Sequence, residues 1–340
     1  MSRRRQLLIC SAILLWAGCS KEPAVTAPPC AAPYLLALPG GAPLPVIPAD
    51  NPLTSASVRL GKALFLDDRL SMGRGISCAS CHRPGHAFSD TVALSKGIHG
   101  GTGLRNAPTL ANVAYHPLLN RDGGAPSLEQ QTLVPLTDTL EMGADLSALV
   151  ALLGGLEPYR SLSQAAYGRP FDLFVLTRAL ASYQRTLISG TSRFDRFLYE
   201  GDSTALSAEE RAGWAIFNGK RGNCSACHGG FDLSDHGFHN IGLSLDHGAD
   251  PGRQRITLNP ADRGKFKTPT LRNIALTAPY MHDGSMATLE QVIDHFSSGG
   301  LPDANRDPLL APLHLSIQEK QDLAIFLRSL TDERTLDQVP

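Results

Sequence analysis

Aromatic side chains are scarce in this 340-residue chain: they make up 6% of it, with two tryptophans, although hydrophobic residues reach 42%. So few large rings exclude a core built mainly on aromatic packing, and they leave interior space that a bulky prosthetic group can fill. Neither sign of charge dominates, since 31 basic residues face 32 acidic ones. Without a basic excess, nucleic acid is excluded as an expected partner. No convincing series of alternating polar and apolar residues appears, which argues against a β architecture. Long hydrophobic runs are also missing. The stretch from Leu7 to Trp16 is too short to span a bilayer, and no other segment is a membrane-span candidate.

That short run has a different reading. Arg3, Arg4 and Arg5 precede it and Ala17-Gly18-Cys19 follows, so residues 1–19 are expected to be a secretion signal. The Ala-Gly-Cys ending resembles a lipoprotein cleavage site. Cys19 is then the candidate lipidated residue, although Trp16 stands where such sites usually carry leucine. The Pro- and Ala-rich stretch 20–43 reads as a flexible tether. Of the seven cysteines, Cys10 leaves with the signal and Cys30 stands alone without an assignable role. The other four fall as Cys78/Cys81 and Cys224/Cys227, each pair followed by a histidine.

Cys78-Ala79-Ser80-Cys81-His82 and Cys224-Ser225-Ala226-Cys227-His228 both read C-x-x-C-H, the attachment signature of c-type haem. Two thiols one helical turn apart can add across the two vinyl groups of the macrocycle, and the adjacent His82 or His228 then reaches the iron. A disulfide, or half of a zinc site with a chance histidine, is the competing reading. Two copies behind an export signal weigh against it.

The motifs sit inside an internal repeat. Pro108-Thr109-Leu110-Ala111-Asn112-Val113-Ala114 matches Pro269-Thr270-Leu271-Arg272-Asn273-Ile274-Ala275. Without a gap, Asp122-Gly123 then matches Asp283-Gly284, and Ser127-Leu128-Glu129-Gln130 matches Thr288-Leu289-Glu290-Gln291. Upstream, Gly61-x-Ala63-Leu64-Phe65 matches Gly213-x-Ala215-Ile216-Phe217. Ser207 with Glu210 and Ser316 with Glu319 are capping boxes that open helices. Leu323, Phe326, Leu327 and Leu330 share a face of the latter helix, and residues 171–188 form a further amphipathic helix. The expected fold is mainly α, with two cytochrome c-like haem domains related by duplication, at 44–191 and 192–335.

From about Leu60 to Leu330 the sequence resembles the bacterial di-haem cytochrome c peroxidase and MauG family. The most specific likenesses are the two haem motifs, Arg105-Asn106-Ala107-Pro108-Thr109-Leu110, and the stretch from Phe266 to Gly284 with its Ala278-Pro279-Tyr280-Met281-His282-Asp283-Gly284. The resemblance implies two covalent haem c groups. In that family peroxide binds at the N-terminal haem and the C-terminal haem handles electrons. Gln131 and Glu141 fall at the positions of the family's distal glutamine and catalytic glutamate. A carboxylate there can take the proton from peroxide and return it to the leaving oxygen. Taken alone, Glu141 is a loop acid and Gln131 a surface helix residue. The resemblance also implies one Ca²⁺ between the domains, with Asn106, Thr277 and Pro279 as oxygen donors. His282 matches a histidine near the C-terminal haem.

Three positions depart from the family pattern. Arg121 stands where a tryptophan commonly relays electrons between the haems. Phe296, which cannot ligate, stands where the C-terminal haem usually receives Met or Tyr, leaving Met281, Met286 and His295 as neighbouring candidates. His99, in a Gly-rich loop and one residue out of register with a removable distal ligand, reads as a loop histidine beside an open distal side. His86, His236, His239 and His247 read as scattered exposed histidines rather than metal ligands.

The leading functional expectation is a periplasmic peroxidase that reduces hydrogen peroxide with electrons from a small cytochrome or cupredoxin. The alternative is a MauG-like enzyme that oxidises tryptophan residues of a partner protein. A di-haem electron carrier is the third. Contact with the membrane, through the outer-membrane lipid anchor at Cys19, is the only one expected.

Overall fold

The computed structural model describes residues 32–332 together with 334 and 337. The expected signal peptide, with Cys10 and Cys19, and also Cys30, lies outside the described residues. In chain order the α-helices are Ser55–Phe65, Cys78–Cys81, Leu128–Gln131, Leu133–Thr137, Leu146–Gly154, Tyr159–Tyr167, Leu173–Gln184, Arg193–Tyr199, Ala208–Asn218, Gln254–Thr257, Leu289–Ser298 and Ile317–Arg328. The strands among the described residues are one antiparallel pair, Phe238–His239 with Phe266–Lys267. Among the described residues, no helix is long and apolar enough to cross a membrane.

Each half is built on one close pair of helices. In the first, Ser55–Phe65 lies against Leu173–Gln184, and Gly61 sits at the crossing. A Cβ at Gly61 would come within 1.9 Å of the Ala179 carbonyl oxygen. In the second, Ala208–Asn218 lies against Ile317–Arg328, and a Cβ at Gly213 would come within 2.1 Å of the Asp322 carbonyl oxygen. The duplicated glycine is thus what lets the two backbones touch. Both expected capping boxes are present, Ser207 with Glu210 and Ser316 with Glu319. Leu323, Phe326, Leu327 and Leu330 are all buried, as their shared face required.

Two hydrophobic clusters follow from these pairs, one running from Leu53 to Leu187 and one from Phe194 to Leu330. Phe65, Phe88 and Tyr183 meet in the first; Trp214, Phe217, Phe194 and Phe326 meet in the second. Each helix crossing thus carries its own aromatic cluster, where a large buried ring contributes most.

The repeat also fixes how each half closes. Asn112 and Asn273 both adopt the left-handed conformation, with φ of 62° and 57°. Their backbone N–H groups donate to Leu187 and Leu330, each just past the last helix of its half. The halves then exchange equivalent bonds across their boundary: Asn106 N donates to His282 O (2.8 Å) and Lys267 N to Arg121 O (2.7 Å). Because 106/267 and 121/282 are the same pair in repeat register, the junction has approximate twofold character.

One expectation needs correcting. Residues 32–43, assigned to the flexible tether, dock on the first half. Tyr34 N donates to Leu53 O, Ser55 N donates to Ala32 O, and Tyr34 and Leu36 pack on the first cluster. A Pro-rich composition limits helix and sheet formation, but two backbone bonds and two apolar side chains suffice to hold an extended segment.

Candidate functional site

Ser77 and Ser80 form a reciprocal cap on the single helical turn Cys78–Cys81. The second pair lies on a tighter turn, Cys224–Ala226, entered through Asn223 in the left-handed conformation. None of the four thiols is in a disulfide. Burial pushes the Cys78 thiol up to about 12 and Cys224 up to about 11, so both are protonated at neutral pH.

The adjacent histidines are held alike. His82 Nδ1 lies 3.0 Å from Phe88 O, and His228 Nδ1 lies 3.1 Å from Leu233 O. A carbonyl can only accept, so Nδ1 carries the proton and Nε2 keeps its lone pair for a metal. Burial lowers both pKa values and favours the neutral imidazole. The loops that present these carbonyls are tied to the repeated Pro-Thr-Leu segments. Thr109 and Thr270 hydroxyls donate to Ala87 O and Asp232 O, while Ser89 and Ser234 hydroxyls donate to Ala107 O and Thr268 O. Ser89 and Ser234 escape a reading of the sequence because the loop lengths differ: His82 bonds six residues ahead and His228 five.

Glu141 follows the Leu133–Thr137 helix on a turn closed by its own N–H to Asp138 O. Desolvation of the carboxyl, then the Asp138 charge, raises its pKa. The Glu141 charge in turn reaches Cys78 and Cys81, which places it at the first haem motif. Ile98 N donates to Glu141 O, and a Cβ on Gly97 would lie 1.8 Å from Leu140 O, so the Gly-rich loop is pressed onto this turn. His99 in that loop is exposed, with φ 62°. Gln131 Nε2 donates to Asn120 Oδ1 at 3.4 Å.

Arg121 lies at the boundary between halves, donating through Nε to Asn106 O and through Nη2 to Asn106 Oδ1, both at 2.9 Å. The side-chain oxygen expected to bind calcium therefore already faces a cation, and Asn106 with Thr277 and Pro279 does not fit a metal ion in this arrangement. Burial, then the charge of Arg105, lowers the Arg121 pKa to about 10. Arg105 itself bridges the halves through Asp122 and Asp250, and Phe266 stacks on His282 at 3.8 Å between ring centroids.

Family-level comparison agrees with this geometry. The model of the di-haem cytochrome c peroxidase family matches residues 55–204. A methylamine utilization protein MauG of Methylorubrum extorquens is 39% identical over 86% of this chain and 84% of its own length. The chain belongs to the di-haem cytochrome c peroxidase and MauG family. A cytochrome c551 peroxidase of Nitrosomonas europaea is 33% identical, covering 86% of this chain and 85% of its own. Among solved structures, a MauG-like protein associated with microbial copper homeostasis superposes with a TM-score of 0.85 at 36% identity, over 90% of this chain and 97% of that one.

As a di-haem family member, the protein takes two haem c groups, and the residues fit them: two unpaired thiols and a neutral imidazole with a free Nε2 in each half. The axial candidates of the second half are dispersed. Phe296 is half-buried on the Leu289–Ser298 helix; His295 Nε2 is bonded to Ile241 O at 2.9 Å; Met286 packs on the second cluster; and Met281 has φ 77°. The reading of scattered exposed histidines is overturned for His236, His239 and His247, and His86 is half-buried. His239 pairs with Asp307 at 2.6 Å, His247 with Asp303 at 3.0 Å, and His236 approaches Asp232. Asp307 and Asp303 lie 68 and 56 positions from His239 and His247, beyond any local motif, whereas Asp232 stands four residues before His236.

Proposed function

We propose that the protein is a periplasmic di-haem peroxidase, lipid-anchored through Cys19. Hydrogen peroxide reacts in the domain 44–191 and electrons enter through the domain 192–335. Glu141 carries this reading: it stands on the turn that the Gly-rich loop grips through Ile98 N, near enough for its charge to act on Cys78 and Cys81, and a general base and acid needs that position. The haem, when bound, supplies the iron at which the O–O bond is broken. Glu141 takes the proton from one peroxide oxygen and returns it to the departing one, while Gln131 holds peroxide by hydrogen bonding. His82, whose Nδ1 is fixed by Phe88 O, would hold the iron through Nε2. Positive charge at the boundary comes from Arg121, so no step runs through calcium; metal analysis of the purified protein is expected to find no stoichiometric calcium.

A second reading is oxidation of tryptophan residues of a partner protein, as in MauG-like enzymes. It is favoured by the order of similarity: MauG proteins are 39% and 40% identical to this chain, against 33% for the c551 peroxidase. An electron carrier would have no use for Glu141. The deciding experiment mixes the di-haem protein with stoichiometric peroxide by stopped flow. Rapid oxidation of an added reduced cytochrome is expected. A long-lived two-electron-oxidised state without cytochrome turnover would support the second reading, and no spectral change would leave the carrier.

A further inference from the structure

His116 ends the turn Val113–Tyr115 of the first half, whereas Asp232 and His236 belong to the loop after the second haem motif. These three side chains meet at the boundary. His116 Nε2 lies 3.2 Å and His236 Nε2 3.6 Å from Asp232 Oδ2, and the three atoms fall within 4.8 Å of one another. The His116 and Asp232 side chains are 8% and 5% exposed. Even so, His116 Nε2 and both Asp232 carboxylate oxygens lack a hydrogen-bond partner. A buried, unpartnered carboxylate facing an unpartnered imidazole is costly, and such groups call for an occupant between them.

We propose that His116, Asp232 and His236 bind a divalent transition-metal ion of the zinc class that clasps the two halves together. Ligands at about 2.0–2.1 Å in a tetrahedral shell stand about 3.4 Å apart, and the two distances to Asp232 bracket that edge. Two imidazoles and a carboxylate suit zinc, without the all-oxygen shell that calcium or magnesium requires. The surroundings also set the tautomer. The Ser234 hydroxyl donates to Thr268 O (2.8 Å), so its oxygen accepts from His236 Nδ1 (3.4 Å) and leaves Nε2 with the lone pair. His116 Nδ1 faces the Lys267 ammonium at 3.2 Å, a donor that puts the imidazole proton on Nε2. Metal binding releases that proton and turns Lys267 away toward Leu118 O, which it already meets at 2.6 Å. The site adjoins the second haem, because Leu233, next to Asp232, supplies the carbonyl that holds His228.

Chelator-washed di-haem protein dialysed against Zn²⁺ is expected to retain one zinc per two haems. Asp232→Asn and His236→Gln should each weaken binding by about tenfold or more with haem spectra intact, and zinc-edge X-ray absorption should show nitrogen and oxygen ligands without sulfur. Lys267→Gln, which removes a neighbouring positive charge and supplies an acceptor for a proton on His116 Nδ1, should tighten it. Absence of retained zinc, equal binding by the variants, weaker binding by Lys267→Gln, or sulfur in the shell would overturn the proposal. In the first case the pocket holds water.

Discussion

The two halves share a scaffold and part company where the helix after the repeated Leu-Glu-Gln begins. In the second half Leu289–Ser298 runs unbroken for ten residues. In the first, the same stretch is divided at Thr132 into Leu128–Gln131 and Leu133–Thr137, and the chain then turns to present Glu141. Continuing the repeat register pairs Pro135 with Phe296. Proline lacks the N–H that would bond back to residue 131 and its ring crowds the preceding turn, which accounts for the division. The position that carries Phe296 in the second half is thus, in the first, a helix breaker that leads into the turn bearing Glu141. Ion pairs diverge in the same way. Glu129–Arg185 is buried, with Arg185 5% exposed, while its repeat equivalent Glu290–Arg328 lies at the surface, with Arg328 49% exposed. The duplication conserved what holds a haem and changed what meets it from above, as expected where function resides on loops over a fixed frame.

The sharpest way to break the comparison is Glu141→Gln. Both haems should remain, and the rate of reaction with peroxide should fall by about 100-fold or more, in line with loss of a general acid and base; unchanged stopped-flow kinetics would remove Glu141 from the chemistry. Phe296→Met tests the other half. A thioether at that point is expected to ligate the second haem and raise its potential, leaving the first haem unaltered in redox titration. If neither spectrum nor potential moves, Phe296 does not face the iron.

The ion pairs give a smaller, paired effect on stability. Glu129→Gln leaves Arg185 buried with its charge unbalanced and should cost about 3 kcal/mol. Glu290→Gln at the surface should cost about 0.5 kcal/mol or less. Equal shifts in denaturant midpoint would mean that the halves do not differ in this way.

Much of this was legible in the sequence because duplication prints the same physical requirement twice. The C-x-x-C-H pairs announced the haem sites, and the repeat marked Gly61 with Gly213 and Asn112 with Asn273 as equivalent positions, although the helix contact and the left-handed closure they serve appear only in the fold. Position-specific features with one copy were harder. Arg121 could be seen to replace tryptophan, but its grip on Asn106 depends on a side-chain direction that spacing does not give. Asp307 and Asp303, the distant partners of His239 and His247, are joined to them only by the fold. The docking of residues 32–43 was hidden because proline-rich composition reports what a segment cannot form, not what it can lie against.

The smallest expected effect concerns the proton on Glu141. Two influences raise its pKa, desolvation first and the Asp138 charge second. Asp138→Asn removes the repulsion but not the desolvation, so the carboxylate becomes easier to form and the pKa falls part of the way. The base form then persists to lower pH, and the acid limb of the peroxide reaction should move to lower pH, with the plateau rate little changed. A limb that stays in place would assign it to another group, and an upward shift would contradict the sign of the Asp138 interaction. Because the second half carries Phe296 and a continuous helix in place of this turn, the same substitution should leave the potential of its haem where it was; a change there would show that the two haems are coupled through this turn rather than through the boundary around Arg121.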